Sequence, residues 1–237
     1  KADYIYSTAD EIIAVSDTYR DRAMISNKKV KKGYSVYLGT NLEQFDAIPK
    51  NNEFNNKKDK IWLVYVGTLG NSYDIPMVID ALKIVQKKGI KNIEFIVMGD
   101  GPLKEKFKRY SKDKGVNVQF TGRLPYSKMV SILKKCDIAV NPIKKGSAGS
   151  IINKVCDYAA AGLPVINTQE SLEYRQLINE YNAGYNCNNV NELADKILIL
   201  CKDEKLRRKM GNNNRRLAEE KLDRKKTYQQ ILKLIND

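Results

Sequence analysis

From Ile61 onward the chain alternates short apolar runs with segments of helical period, and this alternation constrains the fold more than any other feature. Ile61 to Val66 ends at Gly67 and leads to a helical Pro76 to Lys88, and Ile93 to Met98 ends at Gly99 ahead of Leu103 to Asp113. Val116 to Phe120 runs into Thr121-Gly122 and the helical Ser127 to Lys135. Asp137 to Val140 passes through a loop to a helix over Ser150 to Ala161. Pro164 to Asn167 reads as a strand, and Ala183 to Cys187 as a last one before the helix Val190 to Cys201. Short apolar runs each followed by a helix are βα units, and such units build a parallel sheet. Strands that are apolar throughout are buried on both faces, so helices cover both sides. The spacing predicts an α/β fold, a Rossmann-like doubly wound parallel sheet, whose ligands bind beyond the carboxyl ends of the strands.

The flanks read differently. Glu11 to Val15 and Tyr34 to Leu38 predict two short strands around a helix at Asp17 to Ser26, so residues 1–48 read as the tail of a preceding domain with its crossover. Residues 49–60 include the polar, turn-rich run Asn51 to Lys60 and form a linker. Residues 61–203 hold the sheet, and 204–237 form charged C-terminal helices broken near Leu222-Asp223. The start, Lys1-Ala2-Asp3-Tyr4, has no initiator Met and no signal-peptide character, so the sequence reads as the middle of a longer protein.

Composition removes several chemistries. The 237 residues contain no histidine, which excludes Ser-His-Asp and Cys-His catalysis and His-ligated metals from this part of the chain. No Asp-x-Asp occurs, and the four cysteines form no C-x-x-C pair. Cys136, Cys156 and Cys201 fall in apolar periodic segments and read, with Cys187, as reduced thiols of a cytosolic protein. No run reaches the roughly 18 apolar residues of a membrane span. The formal net charge of +14 raises a nucleic-acid reading, but clusters such as Lys28 to Lys32 and Lys87 to Lys91 carry no interleaved aromatics to stack bases. A solvated surface is the plain reading of that charge, and peripheral attraction to an anionic inner membrane leaflet is the other.

The chemistry concentrates in the stretch from Ser147 to Ile166, where a small-residue loop opens a helix and Ser150 is placed to cap it. Ile151, Ile152, Val155, Cys156, Ala159 and Ala160 are apolar, while Ser150, Asn153, Lys154, Asp157 and Ala161 share one narrow stripe. A helix apolar on most sides is buried, so that stripe faces a cleft. An amide, a cation and a carboxylate near a helix N-terminus suit a nucleoside diphosphate: backbone amides and Lys154 meet phosphate, and Asp157 accepts ribose hydroxyls. The competing reading is a surface Lys154–Asp157 salt bridge worth under about 1 kcal/mol.

The string Asn-Lys-x-x-Asp-Tyr-x-Ala-x-Gly-x-Pro-Val-Ile, at Asn153 to Ile166, resembles the signature of the retaining GT-B glycosyltransferases of family 4. Other landmarks follow in family order. Asp10 to Ser16 resembles the close of the N-terminal domain, and Gly39-Thr40-Asn41 with Phe45 resembles the domain crossover. Gly67-Thr68-Leu69-Gly70 resembles the first glycine loop, with Tyr73 the nearest aromatic, and Gly99-Asp100-Gly101-Pro102 the second. Phe120 to Leu124, with Arg123 and Leu124, resembles the strand and loop beside the base, and Tyr228 to Leu234 the terminal helix that packs back on the first domain. The resemblance implies that Asp157 binds the donor ribose and that Lys154 meets the diphosphate. It also implies that Glu173 lies where donor phosphate or sugar is met, although a carboxylate at a helix start is equally served by the dipole.

Two departures from that pattern, at three positions, matter. Gly149 stands where the family carries the first of two glutamates, and Thr68 and Asp74 replace its usual Arg and Lys after the first glycine loop. Phosphate binding then leans on Lys154 and backbone amides. Lys104 stands where a Rossmann fingerprint would need its third glycine, which disfavours a nicotinamide cofactor. The resemblance implies transfer of a sugar from a nucleoside diphosphate sugar to a glycan or lipid-linked acceptor, with no cofactor and no metal required. A GT-B sugar-nucleotide epimerase and a basic nucleic-acid-binding α/β module are the alternatives.

Overall fold

The computed structural model describes residues 1–50, 60–147 and 151–236. Its N-terminal stretch holds α1 (Ala2–Thr8), β1 (Ile13–Ala14), α2 (Asp17–Ser26), β2 (Tyr34–Ser35) and α3 (Leu42–Ala47). The α2 helix starts where Ser16 takes extended backbone and its Oγ accepts the Tyr19 amide. Only Ile13 and Ala14 pair with Tyr34 and Ser35, in parallel, so both strands are shorter than the sequence pattern suggested. Two strands without a third neighbour make a marginal sheet.

The apolar runs form one six-stranded parallel sheet. Its strands are β3 (Ile61–Val66), β4 (Ile93–Met98), β5 (Val118–Gly122), β6 (Ile138–Asn141), β7 (Val165–Asn167) and β8 (Gly184–Asn186). Between and after them run α4 (Ile75–Lys87), α5 (Lys104–Lys114), α6 (Tyr126–Leu133), α7 (Asn153–Ala160), α8 (Leu172–Tyr181), α9 (Val190–Lys202), α10 (Glu204–Lys221) and α11 (Arg224–Asn236). The strand order is β5-β4-β3-β6-β7-β8, so the winding reverses between β3 and β6. That reversal opens a crevice past Val66 and Asn141.

Alternation inside each run feeds two cores. Trp62, Val64, Ile96 and Met98 pack with Val155, Tyr158, Ile178 and Leu217 on one side, while Leu63, Tyr65, Phe95 and Val97 pack with Ile79, Leu82 and Ile197 on the other. This explains strands without a polar face. Asp74 caps α4 by accepting the Met77 amide, so the residue standing where the family carries a lysine has a local role.

Two helices differ from the sequence pattern. The α8 helix is marked in the sequence only by Glu173 at its start. The α7 helix begins at Asn153 with Ile152 as its cap residue, not at Ser150, because the backbone before it is extended; Ser150 lies outside the described residues. The expected linker at 49–60 falls mostly outside them as well. On its near side, α3 sinks Leu42 and Phe45 into the first core. The ammonium of Lys134, the residue that ends α6, closes α3 by donating to the carbonyls of Phe45 (2.7 Å) and Ile48 (2.5 Å).

The break between α10 and α11 falls at Leu222-Asp223, as the sequence suggested, and it has a partner. Thr40 donates its amide to the Leu222 carbonyl (2.8 Å) and accepts the Arg224 amide (3.0 Å). Gly39 permits this approach, since a Cβ there would stand 2.4 Å from the Leu222 oxygen at φ +65°. The crossover and the C-terminal kink are thus one laced unit. Among the described residues no helix is long and apolar enough to cross a membrane.

Candidate functional site

The carboxyl ends of β3, β4 and β5 surround a cavity of about 1050 Å³ lined by Gly67, Thr68, Gly99, Gly101, Arg123 and Leu124, with Tyr126 at its edge. The two glycine loops that floor it are held backbone to backbone: the Gly67 amide donates to Met98 (3.0 Å) and the Leu69 amide to Asp100 (2.9 Å). A side chain on Gly99 would come 1.8 Å from the Gly67 oxygen, so only glycine fits that approach. Leu69 is fully buried and serves this packing rather than the cavity wall. Arg123 is exposed on the wall.

Lys154 occupies an unusual place. It is 9% exposed, and its Nζ lies behind Gly67, donating to the Tyr65 hydroxyl at 3.1 Å. The ammonium sits 3.7 Å from the Tyr73 ring centre and 4.2 Å from that of Tyr65, two rings set edge to face. No carboxylate pairs with it among the described residues, and burial pushes its pKa down to about 7. The surface salt bridge with Asp157 is not formed: Lys154 turns under the loop while Asp157 turns toward the crossover.

A second, smaller cavity of about 370 Å³ is lined by Thr40, Asn41, Tyr126, Asn153, Asp157 and Arg224, and Tyr126 lines both cavities. The Asp157 carboxylate accepts hydrogen bonds from Thr40 Oγ1 (2.8 Å) and Tyr126 Oη (3.0 Å), both on Oδ1. Burial raises its pKa, while the two hydroxyls and the Arg224 charge oppose that rise. The stripe expected to face one cleft is therefore divided, with Asn153 and Asp157 on the small cavity and Lys154 behind the large one.

Glu173 is drawn elsewhere. Both its carboxylate oxygens accept the Asp17 amide at 3.2 Å, at the N-terminus of α2, and it borders a separate pocket with Tyr37 and Lys221. Tyr65, Thr40, Tyr126 and Arg224 carry no binding signal in the sequence. Tyr65 reads as one more apolar strand residue, and the others meet Asp157 only through tertiary contact. Among the described residues no group of three or more Cys, Asp or Glu side chains is gathered for a metal ion.

Residues 46–217 match the family described as Glycosyl transferases group 1. Two uncharacterized glycosyltransferases of Methanocaldococcus jannaschii are 24% and 26% identical to the chain, over 97% and 91% of its length. The chain spans only 59% and 56% of those two relatives. Among solved structures, HepE of Anabaena in complex with UDP superposes with a TM-score of 0.80 at 15% identity, over 96% of this chain and 64% of that one. A mutant of TarM of S. aureus, solved with Fondaparinux, alpha-GlcNAc-glycerol and UDP, gives 0.73 at 18% identity, over 99% and 46%. These likenesses are in fold.

Proposed function

Because the chain belongs to the Glycosyl transferases group 1 family, we propose that it is the donor-binding half of a retaining glycosyltransferase, holding a nucleoside diphosphate sugar whose sugar passes to a glycan or lipid-linked acceptor. One observation carries this reading: a buried ammonium with no carboxylate partner among the described residues, Lys154, stands behind the first glycine loop, beside the large cavity at the carboxyl ends of β3, β4 and β5. Such a cation is costly unless an anion meets it. A diphosphate in the crevice, contacting the loop amides, supplies that anion. The complexes of HepE and TarM with UDP support the same class of ligand.

The base then lies toward Arg123 and Leu124, the ribose toward Asp157 and Asn153, and the diphosphate against Gly67 to Leu69 and Gly99 to Gly101. Tyr73 acts beneath the loop by holding Lys154. In this reading the acceptor is held mainly by a separate domain that forms the opposite wall of the cleft. Sugar transfer in this reading relies on positioning and electrostatic stabilisation rather than a histidine or a bound metal. The protein acts in the cytoplasm, and its positive surface favours contact with an anionic membrane where lipid-linked acceptors reside.

Calorimetry of the chain with UDP and GDP, in EDTA, tests the reading. Saturable binding by one of them, weakened by roughly 1.5–3 kcal/mol in Lys154→Ala with its fold intact, is the expected result. Absence of binding to both, or binding that needs added Mg or Mn, overturns it. The chain alone should transfer no sugar, whereas a form of full relative length should.

A further inference from the structure

Asp157 is fixed by groups from two other elements, and the arrangement is asymmetric. Both hydroxyl donors land on Oδ1, and among the described residues none donates to Oδ2. Thr40 is 4% exposed and cannot drift, because its own backbone is bonded on both sides to the α10–α11 break. Tyr126 is 49% exposed and lines both cavities, on the first turn of α6. A carboxylate can accept about four hydrogen bonds. With one oxygen taken by Thr40 and Tyr126, its plane is set and the second oxygen is left for a ligand.

We propose that Thr40 and Tyr126 are positioning residues which turn Asp157 into a reader of vicinal hydroxyls, so that discrimination between ribose and deoxyribose in the nucleotide resides in this trio. The proposal rests on the donor-site reading above. It adds that ribose recognition is built partly by the crossover, which is laced to the C-terminal kink, and not by α7 alone. A pocket with polar groups arranged for a hydroxyl rejects the ligand lacking it, because those groups are left unpaired. An unfixed carboxylate loses that selectivity while still tolerating either sugar.

The test is calorimetry of the full chain with UDP and GDP, each beside its 2′,3′-dideoxy form. For the nucleotide that binds, the wild type should prefer the ribose form by about tenfold or more, as expected for a charge-assisted hydrogen bond. Thr40→Val keeps the shape and removes the hydroxyl, and it should bring the ratio most of the way toward one. Thr40→Ser should restore the ratio. Tyr126→Phe, at a half-exposed position where folding is not at stake, should lower it too. A contribution that is only structural would weaken both nucleotide forms together and leave the ratio unchanged, and that result overturns the proposal while leaving the donor reading intact. Failure of the wild type to bind either UDP or GDP overturns the donor reading and this proposal with it.

Discussion

The ammonium of Lys154 lies where a side chain on Gly67 would have to stand: a Cβ built on Gly67 comes 2.7 Å from Nζ and 3.1 Å from the Tyr65 hydroxyl. Gly67 also holds φ at +144°, which side-chain-bearing residues rarely adopt. Gly67→Ala should therefore push the lysine off its rings and strain the loop, costing about 1–3 kcal/mol in thermal unfolding and weakening diphosphate binding. Gly70→Ala is the control three residues on. Its new methyl would meet only the Thr68 Cγ2 at 3.8 Å, so stability and binding should hold.

Burial of Lys154 makes stability depend on pH in a definite direction. Its pKa falls from 10.5 in the open chain to about 7 in the fold, so between these values the unfolded state binds more protons. Stability then rises with pH across that window, and the penalty is complete below it. The rings of Tyr65 and Tyr73 attract the ammonium and offset part of the cost. Lys154→Met, of similar volume, should raise the melting temperature at pH 6 and raise it less at pH 9. A difference that does not change between the two pH values would show that the ammonium is held without penalty.

Much of the sheet was legible because its information is local. Ile61–Val66 and Ile93–Met98 match their apolar runs end to end, and the crevice position follows from the strand order those runs build. The division of Asn153, Lys154 and Asp157 was not legible. Helical spacing says which residues share a face, but not that Tyr65 and Tyr73 from β3 and its loop draw Lys154 under the backbone. Nor does it say that Thr40, 117 positions away, holds Asp157. The start of α7 escapes the sequence for a related reason: Ser150 has the side chain of a cap, but the cap residue Ile152 is still in extended backbone.

Glu173 offers a case where position in the family pattern and contact in the fold point different ways. Its two oxygens cap the amide of Asp17, a favourable place for negative charge at a helix N-terminus. It does not line the large cavity. Glu173→Gln should lower stability by about 0.3–1 kcal/mol, increase hydrogen exchange at the start of α2, and leave affinity for UDP or GDP unchanged. A clear loss of nucleotide affinity with unaltered exchange would place the carboxylate at the donor instead.

Lys134 secures the helix that follows Thr40. Its ammonium donates to the carbonyls of Phe45, Asp46 and Ile48 and lies 5.1 Å from the Phe45 ring centre. The Phe45 carbonyl also takes the Ile48 amide at 3.3 Å, but the carbonyls at a helix end lack their full set of intrahelical partners, and this cation supplies donors to three of them. Lys134→Met keeps the length and apolar contact but removes the donors, and should cost about 1–3 kcal/mol. The loss should be local first: exchange should rise across residues 40–48 before the β3–β4 core opens, since Ser131 Oγ to the Pro49 carbonyl (2.6 Å) is another α6 contact closing that end. Thr40 lies one residue before the Asn41 cap of α3, so the same loosening should reach the Thr40–Asp157 bond and soften ribose preference. Hydrogen exchange with and without nucleotide measures both. Unchanged protection over 40–48 would mean that Leu42 and Phe45 alone hold α3 in place.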